Sequence, residues 1–402
     1  TRFKCDWSSD VCSSDLSNFR IVRTADNQLQ LSWLPVTDRL EPSAVPTTYN
    51  IYIAEGKNGF DNGRSVSSTS FTFTPKPNVV YQFRVTAVNR GGESFPSTTL
   101  AACVSAQAGA RDVLVVDGFT RLAGPAVVDD GTRQGFDLDA DMGVSLGVNA
   151  GFVGRQIDFD RTRVGSEGPG ALGYCEDEFA GKFFMGKQQN ESVCHVADIA
   201  LSGAYNVVSS SVEAVENGFV KLENYRVVDI MFGLQKDDGY SLVRYKTFSA
   251  LLRKALESYV RGNGRVFVSG AYVASDMQLD AERSFMSNLF KVGFGGQNTN
   301  IATNLVDGLG ISFDIIRRPN DRHYAAQSVD VVSPLAPAFC AMRYADGTDA
   351  AVAYDGIDHK AFVMGFPVEC INNVRSRQQV MKAVTSTTLA ACVSAQAGAR
   401  DV

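Results

Sequence analysis

Four residues stand where runs of apolar β-formers give out. Asp117 follows Val113-Leu114-Val115-Val116, Ser269 follows Val266-Phe267-Val268, Asp276 lies seven residues further on, and Glu369 follows Ala361–Pro367. A carboxylate so placed can act as a general acid or base, and a serine as a nucleophile when a base lies within reach. Ser269, Asp117, Asp276 and Glu369 are therefore the catalytic candidates. Asp117, Gly118, Lys236, Gly270 and Tyr272 are the ligand-binding ones. The warrant is positional, because ligands of open parallel sheets bind outside the carboxyl ends of the strands. The bland reading of Lys236-Asp237-Asp238 is a solvated charged loop.

Other constellations carry less. Asp137-Leu138-Asp139-Ala140-Asp141-Met142-Gly143 has the oxygen density of a calcium loop. Its turn glycine is one place late, and Val148 stands where the bidentate glutamate belongs, so a solvated acidic loop is the better reading. There is no CxxC and no Cys/His cluster at zinc spacing. No metal and no cofactor are expected. Single histidines without partners rarely signify catalysis. His195 beside Cys194 reads as a surface histidine next to half of a disulfide, His323 lies in a polar loop, and His359 in a hairpin turn. Cys175–Cys194 and Cys340–Cys370 are the disulfides open to an exported protein, although spacing alone does not establish them.

The elements that must position these residues divide the chain in two. Residues 17–108 alternate in short runs (Leu29–Trp33, Tyr49–Ile53, Ser70–Phe73) broken by Gly, Pro, Asn and Asp, the pattern of an all-β sandwich. From 110 to 385, apolar strands at 112–119, 225–233, 265–270 and 361–367 are separated by helical spacing at 248–259, 284–290 and 374–384. Strands joined by helices imply βαβ crossovers and a doubly wound parallel sheet. The stretch from 120 to about 206 shows little periodicity and reads as a long irregular insertion.

Two segments read as foreign to the fold. Asp6–Leu16 is what one reading frame of a common short-read sequencing adapter encodes, so residues 1–16 are set aside. Residues 97–113 recur unchanged at 386–402. A structural repeat diverges and has a supersecondary period, so the second copy reads as an assembly artefact, with a tandem array as the alternative. Over 402 residues, a net charge of −6 argues against nucleic acid as the main partner. No apolar run approaches the length of about 18 residues that a spanning helix needs.

Tyr81-Gln82-Phe83-Arg84-Val85-Thr86-Ala87-Val88-Asn89-Arg90-Gly91-Gly92-Glu93-Ser94 resembles the fibronectin type III pattern. The resemblance implies that Trp33 fills the inter-sheet core and Tyr81 makes the corner hydrogen bond. It implies no chemistry, and there is no Arg-Gly-Asp tripeptide. Beyond it, Val113–Phe119, Val268–Asp276 and Gly365–Glu369 resemble exported Bacteroidales proteins often labelled xanthan lyase or fibronectin type III proteins. That resemblance implies a flavodoxin-like or class I glutamine amidotransferase-like fold for the second domain. It also implies an N-acetylmuramoyl-L-alanine amidase domain upstream and a β domain downstream, both outside this sequence. An amidotransferase-like hydrolase needs a Cys nucleophile on a strained turn and a His base oriented by a Glu. Here the turn reads Ser269-Gly270-Ala271-Tyr272, Phe267 fills a place that wants a small residue, and no His adjoins Glu369. The expectation is an accessory, non-catalytic binding or scaffold region of an exported protein acting on peptidoglycan or polysaccharide. Its partners would be a glycan or peptidoglycan ligand and the other domains of the same protein, with no membrane span. The rivals are a hydrolase with a non-standard site at the strand ends and a pure docking module.

Overall fold

The computed structural model describes residues 16–35, 45–94, 96–120, 190–237, 245–318 and 323–385, with isolated residues and strand segments between 126 and 184. Eight strands come first: β1 (Arg20–Arg23), β2 (Leu29–Ser32), β3 (Thr48–Glu55), β4 (Arg64–Val66), β5 (Ser70–Phe73), β6 (Val80–Asn89), β7 (Gly92–Glu93) and β8 (Leu100–Cys103). They form the sandwich that the alternation predicts. Tyr49, Ile51 and Ile53 of β3 and Tyr81, Phe83 and Val85 of β6 point inward, while the residues between them face outward. Trp33 is buried edge-on to Tyr49 at 5.3 Å and to Phe19 at 6.4 Å. Each such pair adds about 0.5–1.5 kcal/mol beyond the area it buries. The Tyr81 hydroxyl accepts a hydrogen bond from Lys76 N at 3.3 Å, a corner bond that closes the end of the sandwich.

The second part opens on β9 (Arg111–Asp117), buried from Val113 onward. Then come the short strands β10 (Ala126–Asp129), β11 (Arg133–Asp137), β12 (Gly147–Val148), β13 (Gln156–Asp160) and β14 (Phe183–Phe184). Helix α1 (Ser192–Ser202) leads into β15 (Tyr205–Ser211) and α2 (Val212–Glu216). Next are β16 (Val227–Met231), α3 (Ala250–Arg261), β17 (Arg265–Ser269) and α4 (Asp280–Phe285). Six further strands follow: β18 (Val292–Asn298), β19 (Leu305–Gly308), β20 (Ile311–Asp314), β21 (Val329–Pro334), β22 (Phe339–Tyr344) and β23 (Asp349–Asp355). β24 (Lys360–Met364) and α5 (Val374–Thr385) close the described chain.

β9 is flanked by β15 on one side and β16 on the other, and β17 and β24 continue the sheet, all parallel. The register sets Ser211, Asp117, Met231, Ser269 and Met364 in one row across the carboxyl ends. Leu114, Val116, Val228, Ile230, Val266 and Val268 share a core with Leu252 and Leu256 of α3. The alternate residues Val113, Val115, Val227, Met231, Phe267 and Phe362 share one with Val196 and Ile199 of α1 and Val380 and Met381 of α5. Runs that are apolar at every position thus bury both faces.

Three expectations need correcting. The sheet is mixed rather than all parallel, because β23, β22, β19 and β20 extend it antiparallel beyond β24. Their Gly- and Asp-broken sequences hid them. The stretch read as irregular contains a helix at 192–202 and runs at its end into a buried strand, 205–211. The sandwich and the sheet are also continuous: β8 pairs antiparallel with β15 (Ala102 with Val208, Cys103 with Val207), and β1 meets it at Arg20–Ser210. Ser209 Oγ donates to Ala101 O at 2.8 Å and accepts from Ala101 N at 2.7 Å, and Arg23 grips both oxygens of Asp112 at 2.8 Å. Residues 1–15 and 386–402 lie outside the described residues, as does most of the acidic loop from Asp137 to Gly143.

Candidate functional site

The parallel strands present a row of polar groups on the α1/α5 face of the sheet, and a buried histidine lies above it. In strand β16 the run Val-Val-Asp-Ile-Met puts one carboxylate, Asp229, between Val227 and Met231 on that face. Helix α1 lays His195 over it, so that Nδ1 lies 2.7 Å from Asp229 Oδ2. The other ring nitrogen, Nε2, lies 3.2 Å from Glu369 Oε2, in the short helical turn Val368–Cys370 that follows β24. Tyr324 donates its hydroxyl to Glu369 Oε1 at 2.6 Å and packs edge-on against Phe119 at 5.6 Å. Arg377 of α5 pairs with Asp198 of α1 at 2.5 Å, locking the two helices together.

With both carboxyls ionised, a ring that has one at each nitrogen donates from both, as imidazolium does. Burial alone would push the His195 pKa down. The charge and hydrogen bond of Asp229, with the bond of Glu369, outweigh that and hold it well above its usual value. Burial pushes Asp229 up, and His195 offsets only part of the rise. Glu369 would also rise by burial, yet the bonds from His195 and Tyr324 bring it below the usual range. Burial, with Cys370 and Glu369 nearby, drives the Tyr324 phenol well up, which keeps it a donor.

The other expected residues lie at the ends of β9 and β17 or in the loops that follow β9, β16 and β17. Asp117 lies at the end of β9, buried, with Oδ1 accepting from Phe119 N at 3.0 Å. Ser269 is 0 % exposed, and its Oγ has no hydrogen-bond partner. Asp276 is a brace rather than part of the row: its carboxylate takes Thr247 N at 2.8 Å, Thr247 Oγ1 at 3.2 Å and Asp237 N at 3.1 Å. Gly118 and Gly270 are small for packing, since a Cβ at either would come within 2.8 Å of the Phe232 side chain. Lys236 sits over the Tyr272 ring at 4.4 Å. Asp330 caps the turn after β17 by accepting from Ala274 N and Ser275 N, and burial raises its pKa to about 6. Among the described residues, no three of His, Cys, Asp or Glu converge so as to hold a metal ion.

The histidine and cysteine expectations change most. His195 is not at the surface but fully buried, because its partners lie 34 and 174 residues away in sequence. Cys194 is a thiol, and Cys175 lies outside the described residues. Cys340 and Cys370 are likewise both thiols. His359 does occupy the β23–β24 hairpin, where Nε2 donates to Leu289 O at 2.7 Å. His323 lies against Tyr324 O at 2.8 Å and Cys370 Sγ at 3.9 Å. Sequence reasoning missed Asp229 and Tyr324 altogether. A charged residue inside an otherwise apolar, doubly buried strand was the available signal for Asp229.

Residues 14–102 match the fibronectin type III domain family, and this part of the chain is such a domain. Similar solved structures include the FN1–FN3 domains of chicken CNTN1, at 23% identity over 21% of this chain and 29% of that one, with TM-score 0.18. The twitchin kinase region from C. elegans matches at 20% identity over 22% and 16%, with TM-score 0.18. The exo-beta-1,4-mannosidase Op5Man5 from Opitutaceae bacterium strain TAV5 matches at 10% identity over 49% and 31%, with TM-score 0.33. The matched part spans less than a third of each of these three chains. No curated protein matches. Among the described residues, no helix is long and apolar enough to cross a membrane.

Proposed function

We propose that this chain is an accessory, non-catalytic binding and scaffold region of an exported protein that acts on peptidoglycan or another polysaccharide. In this reading the second domain is a doubly wound, amidotransferase-like unit that has kept the architecture without the chemistry. The β15–β9–β16–β17–β24 order, with helices on both faces, supports that assignment. The observation that carries the loss of chemistry is the commitment of His195. Both its nitrogens face carboxylates in a fully buried cluster, so it has no free nitrogen with which to activate Ser269 or a water. The sandwich acts as a rigid extension of the sheet, joined to it by strand pairing and the Arg23–Asp112 fork.

The chain, incubated with peptidoglycan sacculi and a panel of polysaccharides, is expected to co-sediment with at least one of them and to release no soluble product. One observation favours the alternative, a hydrolase with a non-standard site at the strand ends: the buried Ser269 hydroxyl has no hydrogen-bond partner. Product release that disappears in Ser269→Ala or Glu369→Gln would select the hydrolase and reject the accessory reading.

A further inference from the structure

The outer face of the sandwich carries a polar cluster that the core does not use. Strands β3 and β6 pair Tyr52 with Arg84 and Asn50 with Thr86, on the face opposite Ile51, Ile53, Phe83 and Val85. The Arg84 guanidinium lies 4.1 Å from the centre of the Phe60 ring and 5.2 Å from that of Tyr52, so the two rings hold the planar group in place. Its Nε is buried against them without a hydrogen-bond partner, so the fork open to a ligand is the pair of Nη groups. Beside it, Glu93 is exposed but fixed: Oε1 accepts from Asn50 Nδ2 at 3.2 Å, Tyr52 OH at 2.6 Å and Thr86 Oγ1 at 2.5 Å. Burial alone would raise the Glu93 carboxyl, but these donors and the Arg84 charge hold it below its usual range. All three bonds fall on one oxygen, and the other can meet a ligand.

We infer that this face binds a uronic acid residue of an acidic polysaccharide, with the Arg84 fork on the sugar carboxylate and Glu93 Oε2 on a neighbouring ring hydroxyl. A guanidinium presents parallel N–H donors that match a planar carboxylate, which an ammonium does not. Holding a long side chain in place before the ligand arrives removes much of the ordering cost of binding. The adjacent Glu93 decides between acidic ligands. It repels a second carboxylate and accepts a hydroxyl, and a uronic acid sets hydroxyls on the same ring as its carboxylate whereas an Asp or Glu side chain carries none. The inference rests on the glycan-binding reading above and adds a site and a substrate class to it.

Titration calorimetry of the full chain tests it with three probes: hexagalacturonate, the same oligosaccharide with its carboxyls reduced, and hexaglutamate. Saturable binding of hexagalacturonate is expected, with the other two weaker by about tenfold or more. Arg84→Lys, which keeps the charge and the stem, is expected to lose about tenfold with an unchanged melting temperature. Glu93→Gln keeps an oxygen for Asn50, Tyr52 and Thr86 and separates loss of charge from loss of fold; it is expected to narrow the gap between hexagalacturonate and hexaglutamate. Equal binding by Arg84→Lys, or preference for the reduced oligosaccharide, overturns the site but leaves glycan binding standing. Tighter binding of hexaglutamate makes the surface a peptide site. Failure of every saccharide in this assay and in the polysaccharide panel overturns both the site and the accessory reading.

Discussion

Replacing His195 by alanine removes the cation that lies between two buried carboxylates. Asp229 Oδ2 and Glu369 Oε2 would then face an emptied space with no compensating charge, and Asp229 Oδ1 already has no partner. Breaking a buried pair in this way costs about 3–5 kcal/mol, a large share of the ~5–15 kcal/mol that holds a typical domain together. Urea denaturation followed by circular dichroism reads the loss directly. The pH dependence supplies the sign. His195 is raised above its usual value, so its contribution is complete below about pH 6.5 and is lost as pH rises through the raised value. Glu369 is lowered, so its contribution is present above about pH 4.3 and is lost as pH falls through the lowered value. Asp229, raised by burial, opposes Glu369 and favours the fold in its protonated form. His195→Ala is therefore expected to flatten the alkaline limb of the stability profile. A cost below about 1 kcal/mol with the alkaline limb intact would mean that His195 is not a cation held between two carboxylates.

Four further outcomes are expected. Tyr324→Phe deprives Glu369 Oε1 of its 2.6 Å donor and is expected to cost about 1–3 kcal/mol in the same denaturation assay. Gly233 has φ +50°, and a Cβ there would run into the Phe119 ring, so Gly233→Ala is expected to cost about 2–4 kcal/mol. Arg23→Ala, at a partly exposed bidentate pair, is expected to cost only about 1 kcal/mol. Removal of residues 16–108 is expected to do far more than Arg23→Ala: β15 would lose its β8 partner, and residues 110–385 should lose the sharp near-ultraviolet dichroism of a packed core.

Where residues alone dictate structure, the sequence was legible. The runs at 112–119, 225–233, 265–270 and 361–367 became β9, β16, β17 and β24, because continuous apolar β-formers suit only strands covered on both sides. The helical spacing at 248–259 became α3, which Ser249 caps by accepting from Leu252 N and which ends at Gly262. Trp33 and Tyr81 took the positions implied by the fibronectin type III resemblance. What failed was long-range. Helix α1 carries Ser192, His195 and Asp198 toward the interior, so its polar letters concealed a buried face. His195 was read from its neighbour Cys194, whereas its environment is made by Asp229 and Glu369, which only the fold brings near. The candidate residues Ser269, Asp117 and Glu369 do gather at the strand ends, as the topological rule requires. That rule fixes their place, not whether they are open to a substrate, and it could not separate Asp276, whose carboxylate braces loops instead.

The most direct test of the account is a nitrogen-15 NMR titration of His195 in the intact chain. A histidine serving as general acid or base must exchange its proton near the working pH. One held between two buried carboxylates must not. The account predicts that both ring nitrogens are protonated at neutral pH, with no titration through the usual histidine range and no response to added glycan. A single-proton tautomer that titrates near pH 6.5, or shifts when a polysaccharide is added, would contradict it and turn the strand ends back into a working site.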